Sequence, residues 1–194
     1  MARRMKQTIS KAGATDLCVL LIEDNEHMRE LLKRLLLAMG IKRIAEYTEG
    51  AQALSHLAEV KPDFILTDLS MTPMDGLQFT RAIRHHADEL LCVTPIIMVT
   101  GHTERQRIHA ARDAGVTEIL AKPITTAGLY HRIDEIVHRP RPFVRAPNYC
   151  GPCRRRHSNP NFTGPWRRKS DQADSDTIAG EEIAAQEAKK TARA

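Results

Sequence analysis

Five side chains far apart along the chain carry the chemistry that matters most: Glu23, Asp24, Asp68, Thr100 and Lys122. Each stands at the end of a short apolar run, at residues 17–22, 64–67, 95–99 and 118–121. Such runs, bounded by turn residues, read as buried strands. In a parallel sheet every C-terminal strand end lies on one edge, so the five side chains would meet there. Three clustered carboxylates repel one another strongly. A hard divalent cation with oxygen ligands resolves that repulsion, and Mg²⁺ suits a shallow site that keeps several waters. Lys122 adds a point charge for an anion, and Thr100 adds a hydroxyl donor. Metal, lysine, hydroxyl and a free carboxylate together describe phosphoryl transfer onto Asp68 as nucleophile.

Each residue also has a plainer reading. Glu23-Asp24-Asn25 could be turn and cap chemistry for a following helix, although a cap needs one such residue and not two acids before it. Thr100 could cap the next helix, and Lys122 could be a solvated lysine. It is their recurrence at successive strand tips that argues for a site.

The elements that must position them follow from periodicity. Residues 26–39 form an expected helix, with Met28, Leu31, Leu32, Leu35, Leu36 and Met39 on one stripe and Gly40 as its stop. A second strand is expected at 41–47 and a second helix at 49–60. Pro62 precedes the Asp68 strand, and a third helix covers 76–86. Helices at 104–114, closed by Gly115, and at 125–138 complete the pattern. Five strands alternating with five helices imply a parallel sheet covered on both sides, a doubly wound α/β domain over residues 17–138.

Composition agrees. The chain has 194 residues, 42% hydrophobic but only 4% aromatic, so its core must be aliphatic. No apolar run approaches the roughly 20 residues that span a bilayer. The basic N-terminal stretch lacks a following apolar block, so residues 1–16 read as a flexible arm, with no signal peptide, and the expected location is cytoplasmic. Cys18 and Cys92 lie in or beside apolar stretches and read as plain buried thiols. The net charge of +5 is uneven: residues 139–170 hold nine Lys/Arg and no Asp/Glu, whereas residues 1–138 are near neutral.

Residues 17–138 resemble the receiver domain of two-component response regulators. The marks are the acid pair Glu23-Asp24, Asp68 followed three residues later by Met71, the Met74-Asp75-Gly76 turn, Thr100, and Lys122-Pro123. The resemblance implies a flavodoxin-like sheet of strand order 2-1-3-4-5. It implies that Asp68 accepts a phosphoryl group from a phosphohistidine on a sensor histidine kinase or a histidine phosphotransfer protein. Asp24 and Asp68 would ligate Mg²⁺, with Glu23 acting largely through water and Ser70 through its backbone carbonyl. Thr100 and Lys122 would bind phosphoryl oxygens, and Lys122-Pro123 would be a cis peptide bond. The chain would catalyse only its own phosphorylation and dephosphorylation. The surface of the 104–114 helix, the fifth strand and the 125–138 helix would switch between two states, meeting a downstream protein or a second copy of the chain.

Two departures from the family pattern stand out. Ile119 occupies the position where many receivers carry an aromatic ring that swings inward with the threonine. Coupling would then run through the 101–115 segment. The proline after Asp68 is Pro73, one residue later than is common, which would reshape that loop.

After residue 138 the composition turns to Pro, Arg and Gly, and irregular chain is expected. Cys150-Gly151-Pro152-Cys153 has the spacing of a redox motif but lacks the strand and helix that motif needs. Half a zinc site with His157 is conceivable. A repeat accounts for more: Tyr149-x-Gly151-Pro152-x-Arg154-Arg155 recurs as Phe162-x-Gly164-Pro165-x-Arg167-Arg168. The aromatic, the turn and the arginine pair are shared, so Tyr149, Arg154, Arg155, Phe162, Arg167 and Arg168 are the expected contacts of a linear docking element for an acidic surface. Residues 171–194 carry three basic and six acidic side chains and read as disordered or marginally helical. The leading reading is a stand-alone receiver. The alternative is a nucleic-acid-binding regulator that uses residues 139–170 as effector arm, although no base-reading module is present.

Overall fold

Every residue of the three central strands is buried, as uninterrupted apolar runs require of a sheet covered on both faces. The computed structural model describes residues 16–101, 104–146 and 149–153. Its main sheet has five strands: β1 (Cys18–Ile22), β2 (Arg43–Tyr47), β3 (Phe64–Asp68), β4 (Ile96–Thr100) and β5 (Glu118–Ala121). They run parallel in the order β2-β1-β3-β4-β5. The period of two sends alternate residues to opposite faces. Val19 and Leu21 pack with Leu32, Leu36 and Ile133 on one side; Leu20 and Ile22 pack with Ala53, Phe79 and Ile83 on the other.

Seven helices occur among the described residues, against five expected. Helix α1 (Glu26–Ala38) starts on Asn25, whose Oδ1 accepts from the Met28 amide, and Gly40 follows its end at φ 86°. Leu31, placed on the apolar stripe by periodicity, is 43% exposed, so the buried stripe is narrower than expected. The single helix expected at 49–60 is interrupted at His56, giving α2 (Gly50–Ser55) and α3 (Leu57–Val60). The cause is local: the Ser55 hydroxyl donates to the Gln52 carbonyl, and the His56 ring contacts the same oxygen, so side chains compete for a helical acceptor. Helix α4 (Gly76–Arg84) opens with a capping box between Asp75 and Gln78. The short α5 (Glu89–Cys92) was not expected; its signal is Asp88, whose carboxylate caps two amides. Helices α6 (Arg105–Ala114) and α7 (Thr126–His138) lie where periodicity put them.

The larger difference comes after α7. In place of the expected irregular chain, β6 (Phe143–Ala146) and β7 (Tyr149–Pro152) form an antiparallel pair. It packs at the edge of the sheet where strands begin. Arg141 reaches the Thr117 carbonyl and Glu118, Phe143 lies against the Arg84 guanidinium, and Gly151 abuts Gly115. Gly115 has φ 94°, and a side chain on it would strike the Cys150 carbonyl and Arg84. Glycine is thus required twice over at that contact. The aromatic and β-branched residues of this segment (Phe143, Val144, Tyr149) suffice for two short strands once a receptive surface exists.

Candidate functional site at the C-terminal edge of the sheet

β3 and β5 deliver the decisive contact. The Lys122 ammonium lies 2.7 Å from Asp68 Oδ1 and 3.7 Å from Glu23 Oε2. The other Asp68 oxygen accepts from the Ser70 amide at 2.8 Å. Both Asp68 oxygens are therefore held, one by a charge and one by backbone. Glu23, at the tip of β1, is fixed through its main chain: its amide donates to the Tyr47 carbonyl, and its own carbonyl accepts from Arg29. Its Oε1 accepts from the Asn25 amide at 3.3 Å, and its Oε2 is buried without a hydrogen-bond partner.

The electrostatics follow from this crowding. Burial first, then the charge of Asp68, push the Glu23 carboxyl up to about 7, while Lys122 and the Asn25 amide pull the other way. Burial opposes the Lys122 ammonium, but its hydrogen bond to Asp68 and the two carboxylate charges outweigh that, and its pKa is raised.

Asn25 performs the capping of α1, so Glu23 and Asp24 are not required for that purpose. Thr100 is buried at the tip of β4, where its carbonyl accepts from the Lys122 amide at 2.8 Å. It does not cap α6, whose N-cap is Glu104. Ile119 and Thr100 line one narrow crevice with Leu69, Met98 and Ile108, so the aliphatic side chain fills space beside the hydroxyl. The Lys122–Pro123 bond is cis, as the resemblance implied, and so is Thr72–Pro73 in the loop after Asp68.

Lys122 stands among the acids expected at this edge. Among the described residues, no three His, Cys, Asp or Glu side chains are gathered as a metal-holding group. The Lys122 ammonium neutralises Glu23 and Asp68 instead, and Asp24 faces solvent at the tip of β1. The donors nevertheless suit a hard cation: all are oxygens, and the buried Glu23 Oε2, which accepts no hydrogen bond, is the atom such an ion would satisfy.

Gly76 is a site residue that the motif named without a reason. A Cβ there would stand 2.3 Å from the Asp68 carbonyl oxygen, so only glycine lets α4 begin directly over the end of β3. Ser70's amide was also missed, since a backbone donor leaves no trace in residue type.

Of the tail residues, Tyr149 is half-buried in β7 with its hydroxyl donating to the Pro152 carbonyl, and Gly151 and Pro152 are buried. The described part of the first copy, residues 149–153, is thus folded onto its own domain. Arg154, Arg155, Phe162, Arg167 and Arg168 lie outside the described residues.

Residues 19–134 match the family described as response regulator receiver domain. The chain belongs to that family. The receiver is 37% identical over 121 residues to the chemotaxis protein CheY of Pseudomonas aeruginosa, which covers 62% of this chain and 96% of that one. It is 36% identical to chemotaxis protein CheY-3 of Vibrio cholerae, covering 62% of this chain and 92% of that one. Among solved structures, the chemotaxis response regulator CheY4 of Vibrio cholerae matches at 25% identity and TM-score 0.57, over 62% of this chain and 98% of that one. The receiver domain of a sensor histidine kinase from Pseudomonas aeruginosa, described with a magnesium ion coordinated in its active-site cleft, matches at 29% identity and TM-score 0.57. That alignment covers 63% of this chain and 98% of that one. Among the described residues, no helix of the receiver is long and apolar enough to cross a membrane.

Proposed function

We propose that the receiver accepts a phosphoryl group on Asp68 from a phosphohistidine donor and relays that event through the surface formed by α6, β5 and α7. The reading is carried by one observation: a buried aspartate at a strand tip, with one oxygen on the Lys122 ammonium and the other on a backbone amide. In the transfer, an Asp68 oxygen forms a bond to phosphorus as the phosphorus–nitrogen bond to the donor imidazole breaks. The imidazole keeps the electron pair and takes a proton from solvent. The product is an acyl phosphate on Asp68.

Lys122 serves both states. Before transfer it offsets the Asp68 charge; afterwards it pairs with a phosphoryl oxygen, because the added group brings roughly −1.5 to −2 charges. Thr100 supplies a hydroxyl to another oxygen from the adjacent strand. Asp24, Asp68 and the Ser70 carbonyl would hold Mg²⁺, with Glu23 behind them. That ion would supply positive charge to the phosphoryl oxygens during transfer.

The new charge draws on Thr100 and Lys122, the two tips that flank α6 and β5. Ile119 gives no ring to swing, so the shift passes through the crevice that Thr100 shares with Ile108 of α6. The expected partners are a sensor histidine kinase or histidine phosphotransfer protein upstream and a protein target downstream. The setting is cytoplasmic, and no turnover of a separate substrate is involved. The same face is a candidate for pairing two phosphorylated copies.

The test is labelling by acetyl phosphate with Mg²⁺. The wild-type chain takes up close to one phosphoryl group, and Asp68→Ala takes up none. Stoichiometric, lasting label on that variant overturns the assignment.

A further inference from the structure

Cys92 and Cys150 are 58 residues apart in sequence, yet Arg145, the residue opposite Cys150, reaches the Cys92 sulfur. Arg145 and Cys150 are directly opposed in the β6–β7 pair, which puts both side chains on one face of the hairpin. Arg145 Nη2 lies 2.8 Å from Cys92 Sγ, and its Nη1 pairs with Glu89 at 3.1 Å, so that face points at α5. Cys92 is also close enough to Cys150 for its charge to act on the Cys150 thiol. We propose that this pair is an oxidation site, at which a hydroperoxide converts the two thiols into a Cys92–Cys150 disulfide that fastens the hairpin to α5.

The two sulfurs differ in access. Cys92 is fully buried, whereas Cys150 is half-buried and lines a cavity of about 450 Å³ together with Arg81, His85, Asp113 and Tyr149. Oxidant therefore reaches Cys150 first. Its thiolate attacks one peroxide oxygen, the oxygen–oxygen bond breaks, and the other oxygen leaves as water or alcohol after taking a proton. The sulfenic acid so formed faces Cys92. The Cys92 thiolate attacks that sulfur, the sulfur–sulfur bond forms, and the hydroxyl departs as water. Two electrons leave the pair of sulfurs and reduce the peroxide. Burial holds the Cys150 thiol above its ordinary pKa, so the first step is slow at neutral pH and quickens with alkali. In a reducing compartment the pair stays as thiols until an oxidant arrives.

The motif Cys150-Gly151-Pro152-Cys153 suggests a different pairing, and chemistry can separate the two. The full-length chain is treated with a small excess of hydrogen peroxide, digested without reduction, and read by mass spectrometry. Cys150 and Cys153 share a tryptic peptide, so variants make the assignment. The expected result is a cross-link between the peptides holding Cys92 and Cys150, kept in Cys153→Ser and absent in Cys150→Ser and Cys92→Ser. Titratable thiols fall from four to two, and the thermal midpoint rises by several degrees until dithiothreitol is added. A loop closed only between Cys150 and Cys153 overturns the proposal. So does a cross-link that survives in Cys150→Ser, or oxidation that stops at sulfinic acid without any cross-link. Circular dichroism of the reduced Cys150→Ser chain shows that its loss of cross-link is not loss of fold.

Discussion

Glu23 is 1% exposed and carries an oxygen without a hydrogen-bond partner, a costly arrangement for an ionised carboxylate. Its neighbours are Asp68, which repels its charge, Asp24, which does so more weakly, and Lys122, which attracts it. The carboxyl titrates at about 7 in the fold against 4.5 ordinarily, so the folded chain holds that proton more tightly than the unfolded one. The linked stability is fully present below about pH 4.5 and is lost as pH rises through about 7. Each tenfold gain in proton affinity on folding is worth ~1.4 kcal/mol, which caps the loss at about 3 kcal/mol. Urea unfolding in EDTA at pH 5 and pH 8 measures it, and Glu23→Gln should flatten the difference. If the wild-type and Glu23→Gln chains show the same dependence, the proton is not where the geometry puts it. Mg²⁺ competes with that proton, so adding the ion should restore stability at pH 8 in the wild-type chain more than in Glu23→Gln.

At the scale of elements, Arg84 organises a junction. It is the last residue of α4, 3% exposed, and its fork donates to the carbonyls of Gly115, Cys92 and Thr94. It therefore ties α4, the end of α5 and the end of α6 together, with Phe143 of the hairpin against its face at 4.9 Å. Burial pulls its pKa down to about 10, so it remains charged at neutral pH. Arg84→Ala leaves three carbonyls without that donor, and its expected cost is on the order of 3 kcal/mol. Arg84→Lys should recover little, since a point charge cannot reproduce the fork. Denaturant midpoints of the two variants check this; a near-neutral Lys variant would show that charge alone matters there. The junction also shows where sequence reading stops. Glu23, Asp68, Thr100 and Lys122 were legible because strand periodicity carries each one to a common edge. Nothing in the local sequence marks Arg84, because the Gly115 carbonyl that it binds is 31 residues away. The hairpin was illegible for the same reason, because its strands are short and their support is a surface assembled from α4, α5, α6 and β5. The arrangement of charge at the acidic edge was legible only in part. Residue types indicated charge at the edge, but not that Lys122 would lie between two of the acids.

The whole molecule separates these two features along the strand axis. Asp68 lies at the edge where β3 ends, while the chain leading into the hairpin reaches the edge where β5 begins, at Thr117 and Glu118. A strand of five residues at about 3.3 Å each puts roughly 16 Å between them, beyond direct contact and beyond the ~8 Å range of screened charge at physiological salt. Three of the nine basic side chains of residues 139–170 are also engaged internally, Arg139 with Glu135, Arg141 with Glu118 and Arg145 with Glu89. That weakens the case for this segment as a nucleic-acid arm, whose affinity would scale with free positive charge. Ending the chain at His138 should therefore do two things at once. It should destabilise the domain by about 1–3 kcal/mol, through exposure of Arg84 and loss of the Arg141–Glu118 contact. It should leave the rate of Asp68 labelling by acetyl phosphate within about twofold of the full chain, because Lys122, Thr100 and Glu23 lose no contact with the hairpin. Equilibrium unfolding and labelling of the same preparation read both quantities. A stable truncated chain that labels tenfold more slowly would mean that the hairpin reaches Asp68 through α6, and the division of the molecule into two independent edges would have to be given up.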